Sequence, residues 1–334
     1  SLPLPHLCSE PGSEEEFHSL GFYRMTTRDL TMAMIFFLQT TVGLLGNFSV
    51  FYYYLFLYLT GYKLRPTDFI VKHLVAANSL SLLCKGVPQM MAAFGQNNFP
   101  GDFGCKLLFY LHRIGRGVSI GSTCLLSAFQ AITISPQNAR GTKLKRKALK
   151  YIDFSLFLCW TVYMLVNIIC PIHVTGKRNN VSISMRKDLQ YCSGTTNNKL
   201  TQLLHAALLS FPDVLCLGIM VWASGHMVFI LHRHRQRVQH IHSTHVAPRS
   251  SPESRATQSI LVLVSTFVCF CSLSSICQVF MAVFDNPSWL LVNVSALISG
   301  CFPTACPFVL MNGNSCVQPT EWEKLFANDI SNKG

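Results

Sequence analysis

Residues 30–59 read LTMAMIFFLQTTVGLLGNFSVFYYYLFLYL, an unbroken run without Asp, Glu, Lys or Arg. An α-helix rises ~1.5 Å per residue and the hydrocarbon core of a bilayer is ~30 Å thick, so about twenty such residues span it. This run is long enough to cross with some tilt. Six further apolar stretches follow at 69–94, 105–134, 151–172, 200–231, 257–284 and 289–311. The pattern predicts an all-α membrane protein built as a bundle of seven transmembrane helices. Seven is an odd number, so the two ends of the chain face opposite sides of the membrane.

Composition points the same way. Half of the 334 residues are hydrophobic and only 13% are charged, where a soluble domain carries about 25%. No polar stretch is long enough for a second domain. The expected division is an extracellular tail over 1–29, a receptor-like domain over 30–311 and a cytoplasmic tail over 312–334. Residues 1–29 lack the apolar core of a signal peptide, so the first span is expected to act as the targeting signal.

The formal charge of +12 invites a nucleic-acid partner, but its distribution argues for topology instead. Basic residues gather between alternate spans: Lys63 and Arg65, then Arg140, Lys143, Lys145, Arg146, Lys147 and Lys150, then Arg233, Arg235, Arg237, Arg249 and Arg255. With Lys324 and Lys333 of the tail, fifteen lie on one side and seven on the other. Cytoplasmic loops carry the basic excess, which places the N-terminus outside and the C-terminus in the cytosol. A membrane surface, not nucleic acid, is the expected partner of these charges.

Most of the 14 cysteines sit within spans and read as small packing residues. No loop carries a Cys-x-x-Cys pair, so no metal site is expected, and the histidines of 232–245 lack acidic or thiol companions. Cys105, at the outer end of the third span, and Cys192, in the long outer segment 173–199, are the pair able to meet in an oxidising compartment. Asn180-Val-Ser182, in the same segment, is a glycosylation sequon on the outer side. Paired carboxylates and nucleophile–base groupings are lacking, so an enzyme is the weakest reading, and no cofactor is implied.

The third span runs CKLLFYLHRIGRGVSIGSTCLLSAFQAITISP from Cys105 to Pro136. Together with Leu64-Arg-Pro-Thr-Asp68, Lys85-Gly-Val-Pro-Gln89, Phe211-Pro-Asp213, Val221-Trp-Ala-Ser-Gly225 and Phe302-Pro-Thr304, it closely resembles the vomeronasal type-1 receptors. The resemblance covers nearly the whole chain from first span to seventh. It implies a chemosensory G-protein-coupled receptor of the plasma membrane, with a small-molecule ligand outside and a heterotrimeric G protein, of the Gi/o class, inside. Asn47, Trp160, Pro212 and the Cys105/Cys192 pair fit the wider rhodopsin-like pattern. Gln130 stands at the usual arginine of the Asp-Arg-Tyr motif and Asn78 at the usual sodium-binding Asp, departures shared with bitter-taste receptors. A bitter-taste-like receptor, or an anion carrier or channel, is the alternative. On the inner face, Gln130, Lys143, Lys145, Arg146, Lys147, Arg233, Arg235 and Arg237 are expected to meet the G protein. Asn47, Asn78, Trp160, Pro212, Asp213 and Pro303 are expected to be structural.

Charged side chains at membrane depth are costly unless they face a cavity or a partner. Lys85, His112, Arg113 and Arg116 lie in the outer halves of spans two and three. His112 and Arg116 share a helix face at i,i+4 spacing, with Arg116 about 16 Å below Cys105. One reading is a cationic wall for an acidic or sulfated ligand, because a guanidinium binds such oxyanions in two places at once. The other is that Arg113 and Arg116 pair with Asp213 or backbone carbonyls and only orient helices. Met90, Phe94 and Tyr110 lie near the same level as candidate apolar walls. On this topology, an N-terminal epitope tag is expected to stain on intact cells and a C-terminal tag only after permeabilisation.

Overall fold

The structure, a computed structural model, describes residues 27–61, 66–93, 101–134, 139–168, 174–176, 186–189, 192–195, 199–241, 252–283 and 288–312. Within them lie seven helices: α1 (Thr27–Leu59), α2 (Pro66–Ala93), α3 (Gly101–Ile134), α4 (Ala139–Asn167), α5 (Lys199–Ile241), α6 (Pro252–Val283) and α7 (Trp289–Asn312). Three short strands, β1 (Val174–Gly176), β2 (Arg186–Leu189) and β3 (Cys192–Thr195), stand between α4 and α5. They form an antiparallel sheet in the order β1-β3-β2, and β1 packs against α3. No apolar periodicity marks this sheet in the sequence. Asn180 and Phe94 lie outside the described residues.

Five of the seven helices are long and apolar enough to cross a membrane over their described residues. The other two differ for local reasons. The first turns of α4 are the basic run from Arg140 to Lys150, so its apolar part begins only at Tyr151 and is described to Asn167. In α6 the apolar run among described residues is Leu261–Ser274. α5 continues past its apolar part to Ile241, carrying the basic stretch His232–Arg237 out of the bundle on the same helix.

Packing centres on α2 and α3, which lie side by side, with α1 and α7 against α2, and α4 and α5 against α3. The main buried cluster joins Tyr54, Ile70, Leu74, Ile120, Leu126, Met220, Met227, Leu263, Phe267 and Phe302. Phe267 and Phe302 meet edge to face at 4.5 Å, locking α6 onto α7. Large apolar side chains such as Phe37, Leu45, Phe157, Leu165, Val214 and Phe229 point outward. Such a skin suits lipid and would be an aggregation liability in water.

Backbone groups inside a bilayer must find partners within the protein. Pro307 lacks an N–H, so the Pro303 carbonyl, four residues earlier in α7, loses its helical donor. Asn47 of α1, fully buried, supplies the replacement: its Nδ2 donates to the Pro303 oxygen at 2.8 Å and to the Gly43 oxygen at 2.7 Å. The approach this requires is tight. A Cβ on Gly46 would lie 2.8 Å from Pro307 Cγ and 3.2 Å from its Cβ. Gly46→Val is therefore expected to push α1 off α7 and lower surface-delivered receptor severalfold in a cell-surface binding assay. Gly218→Ala, whose added Cβ would meet nothing within 4 Å, is the matched control and is expected to leave delivery unchanged.

Candidate ligand-binding site

Helical spacing divides α3 into two working faces. His112, Arg116 and Ser119, at steps of four and three, turn toward α2, α6 and α7. Tyr110, Arg113, Gly117 and Gly121 turn toward α4. The Tyr110 hydroxyl donates to the Met164 carbonyl at 3.1 Å, and Arg113 Nε donates to Asn167 Oδ1 at 2.7 Å. These two residues serve as helix–helix ties at the α3–α4 seam and line neither of the clefts described below.

Arg116 sits between the two arrangements. Its Nη1 lies 3.7 Å from Asp213 Oδ2 on α5, and the other carboxylate oxygen accepts from the Tyr163 hydroxyl at 3.1 Å. Tyr163 reaches this point because Gly117 has no side chain; a Cβ there would run into the tyrosine ring. The carboxylate is thus held from both sides, by a guanidinium of α3 and a phenol of α4. Arg116 thus has a carboxylate partner, and the pair does not exhaust the side chain. Arg116 also lines a cleft with Ser81, Ser119, Phe267, Cys271 and Ser299.

A second cleft adjoins the first and shares Ser81 and Ser299 with it. Lys85 projects into it from α2, and its Nζ donates to Ser299 Oγ on α7 at 2.6 Å. The Ser299 hydroxyl in turn donates to the Ala296 carbonyl at 2.8 Å. His112 Nδ1 lies 3.2 Å from Ser81 Oγ and 3.3 Å from the Ser81 carbonyl. The two clefts leave about 20 and 30 Å³ for the centre of a water-sized sphere, room for one or two waters each. A ligand of many atoms enters only if side chains or helices part. Met90 lies behind the Lys85 cleft, packed on Met32, Phe36 and Ala296.

The residues expected to be structural lie as follows. Asn78, buried, accepts from Ser119 Oγ at 2.6 Å and joins α2 to α3. Trp160 Nε1 donates to His73 Nδ1 at 3.1 Å, tying α4 to α2. Pro212 lies within α5 and is half-buried, while Pro303 is buried and borders the Arg116 cleft. Cys105 is buried and disulfide-bonded. Of the residues expected to meet the G protein, Gln130 is buried, whereas Lys147 and Arg233 are exposed. Lys143, Lys145, Arg146, Arg235 and Arg237 fall on the helical backbones of α4 and α5.

Several site residues went unread in the sequence: Gln39 and Thr40 of α1, Gln89 of α2, and Ser299 of α7. The signal was available in part, since Ser81, Lys85 and Gln89 follow one another at steps of four and so share a helix face.

Residues 30–320 match the family model described as the vomeronasal organ pheromone receptor family. The chain belongs to this family. It is 62% identical to vomeronasal type-1 receptor 4 of Homo sapiens over 303 residues, covering 91% of this chain and 99% of that one. Vomeronasal type-1 receptor 2 of Homo sapiens is 56% identical over 273 residues, with 82% of this chain and 69% of that one covered. More distantly, olfactory receptor class A-like protein 1 of Danio rerio is 30% identical over 282 residues, covering 84% and 88%. The chain is thus a multi-pass, seven-transmembrane chemosensory receptor of the G-protein-coupled class, and the family is one of receptors, not of enzymes.

Arg116 and Asp213 are both half-buried, so removing one partner leaves the other only partly compensated by solvent. Asp213→Leu is accordingly expected to lower the melting temperature of the purified receptor sharply. Adding Arg116→Met to it is expected to restore most of the loss, and simple additivity of the two losses would speak against the pair.

Proposed function

We propose that this vomeronasal-family receptor binds a small apolar molecule bearing an acidic or sulfated group, in the paired clefts between α1, α2, α3, α6 and α7. The observation that carries the reading is the charge balance there. Lys85 and Arg116 enter adjoining clefts from α2 and α3, and Asp213, on the far side of Arg116, is the carboxylate set against them. Lys85 meets a neutral hydroxyl rather than a carboxylate. An anionic ligand group relieves this imbalance, and Phe36, Leu82, Phe267, Phe270 and Phe302 offer apolar contact to the remainder.

Binding would separate helices that close over very small spaces, and α6 and α7 meet through the Phe267–Phe302 contact just below. Motion of α6 and α5 would then reach the inner ends of the bundle. There the basic extension of α5 and the start of α4, with Lys147 and Arg233 exposed, form the surface we assign to the G protein, of the Gi/o class. The same charges attract anionic lipid at about 1 kcal/mol each. We place the receptor in the plasma membrane with its N-terminus outside and its C-terminus in the cytosol. Cys192 is the proposed disulfide partner of Cys105, since it opens β3, which pairs with β1 against α3. Asn180 is the proposed glycan site.

Lys85→Met removes the charge and keeps much of the side-chain volume. It is expected to weaken responses to carboxylate or sulfate ligands at least tenfold, read as agonist potency in cells matched for surface expression. Neutral analogues of the same ligands are expected to lose little. An equal loss for charged and neutral members of each pair would sink the assignment.

A further inference from the structure

The cleft around Lys85 has a property that a site for an organic ligand does not require. Its polar lining includes Gln39, Thr40, Ser81, Gln89, His112 and Ser299, and among the described residues no Asp or Glu lines it. We propose that this cleft is a binding site for a single monovalent inorganic anion, chloride in ordinary saline, held by the Lys85 ammonium.

The argument starts from the ammonium. It carries three N–H donors and no acceptor. One bond goes to Ser299 Oγ at 2.6 Å, and that hydroxyl sends its own proton to the Ala296 carbonyl. Ser299 therefore offers Lys85 a lone pair but no charge. Among the described residues no carboxylate pairs with Lys85, and the adjoining cleft, which shares Ser81 and Ser299, carries another cation, Arg116. A half-buried charge at membrane depth that is hydrogen-bonded but not neutralised keeps much of its cost.

The space fits the remedy. About 20 Å³ is open to the centre of a water-sized sphere, enough for one species of atomic size while the helices stay closed, whereas an organic acid enters only when they part. Phe36, Leu82 and Ala296 form the dry part of the wall, which lowers the local dielectric and strengthens the attraction between ammonium and anion. A second donor stands opposite. The Thr40 hydroxyl of α1 lies against Gly86, where any side chain would displace it, and no protein group bonds it among the described residues. A lysine on α2 and a hydroxyl on α1 thus face one small, acid-free space. Water alone satisfies the donors; an anion satisfies both donors and charge.

The inference stands whether the agonist is anionic or neutral. Failure of Lys85→Met to change agonist potency would end the ligand reading and leave the halide site untouched. The test uses the full-length receptor in lipid nanodiscs, with chloride exchanged for gluconate at fixed ionic strength. Chloride is expected to raise the melting temperature by a few degrees, with a rise that follows the logarithm of its concentration. The chloride-35 resonance is expected to broaden in the presence of the wild-type receptor. Lys85→Met is expected to lose both effects, and Thr40→Val to raise the chloride concentration needed severalfold. Equal melting in the two salts without broadening overturns the site and leaves water as the occupant. Survival of the chloride effects in Lys85→Met also overturns it. Should Lys85→Met fail to fold, an unchanged chloride midpoint in Thr40→Val serves as the refuting result.

Discussion

The contact between Arg116 and Asp213 organises the half of the bundle that carries the two clefts. A guanidinium near the middle of a bilayer is tolerated only where it faces a partner or a polar space. Here the partner comes from α5, at 3.7 Å, and the polar space from α2 and α7. Meeting both demands fixes how α3 is rotated. Once Arg116 points between α5 and α7, His112 and Ser119 must face α2, and Gly117 must face α4. Tyr163 then lies over Gly117 and adds its hydroxyl to the same carboxylate. Three helices are brought into register by one charge that needs somewhere to go.

The same rule acts on neutral groups elsewhere. Proline in α7 leaves the Pro303 carbonyl without its helical donor, and Asn47 of α1 provides one. Asn78 and Ser119 close the α2–α3 seam, Trp160 and His73 the α2–α4 seam, and Arg113 and Asn167 the α3–α4 seam. Apolar packing alone gives weak discrimination between helix faces in lipid, because hydrocarbon tails are as apolar as leucine. Polar ties placed at each of these seams, with glycines that let backbones approach, supply that discrimination. The exposed surface is free to be almost wholly apolar.

Function follows from where these ties stop. On the α4 side Tyr110 and Arg113 both have partners, and that seam is closed. On the α2–α7 side the polar groups border two small clefts, and a lysine there is matched by a hydroxyl instead of an acid. A receptor needs such a place: rigid on one flank, and on the other held shut by contacts that a ligand can replace. The family membership says that this chain senses chemicals; the unequal satisfaction of its half-buried cations is our ground for proposing where.

The sequence alone determined the number of helices, the boundaries of most of them and the family, because lipid allows only long apolar helices and these leave a plain pattern. It also singled out Lys85, His112, Arg113 and Arg116, since charges are conspicuous in apolar runs. What only the tertiary structure decided was which of these share a space. Arg113 and Arg116 are three residues apart, yet the first bonds α4 while the second reaches α5 and a cleft. Tyr110 likewise turned to α4. Ser299 and Thr40 carry no charge and are distant in the chain, so nothing local announced that they would meet Lys85 or stand across from it. The small sheet between α4 and α5 was equally silent, being too short for a period to register. Helical periodicity gives relative directions around one axis; the absolute rotation of each helix is set by partners on other helices, and those are joined only when the bundle closes.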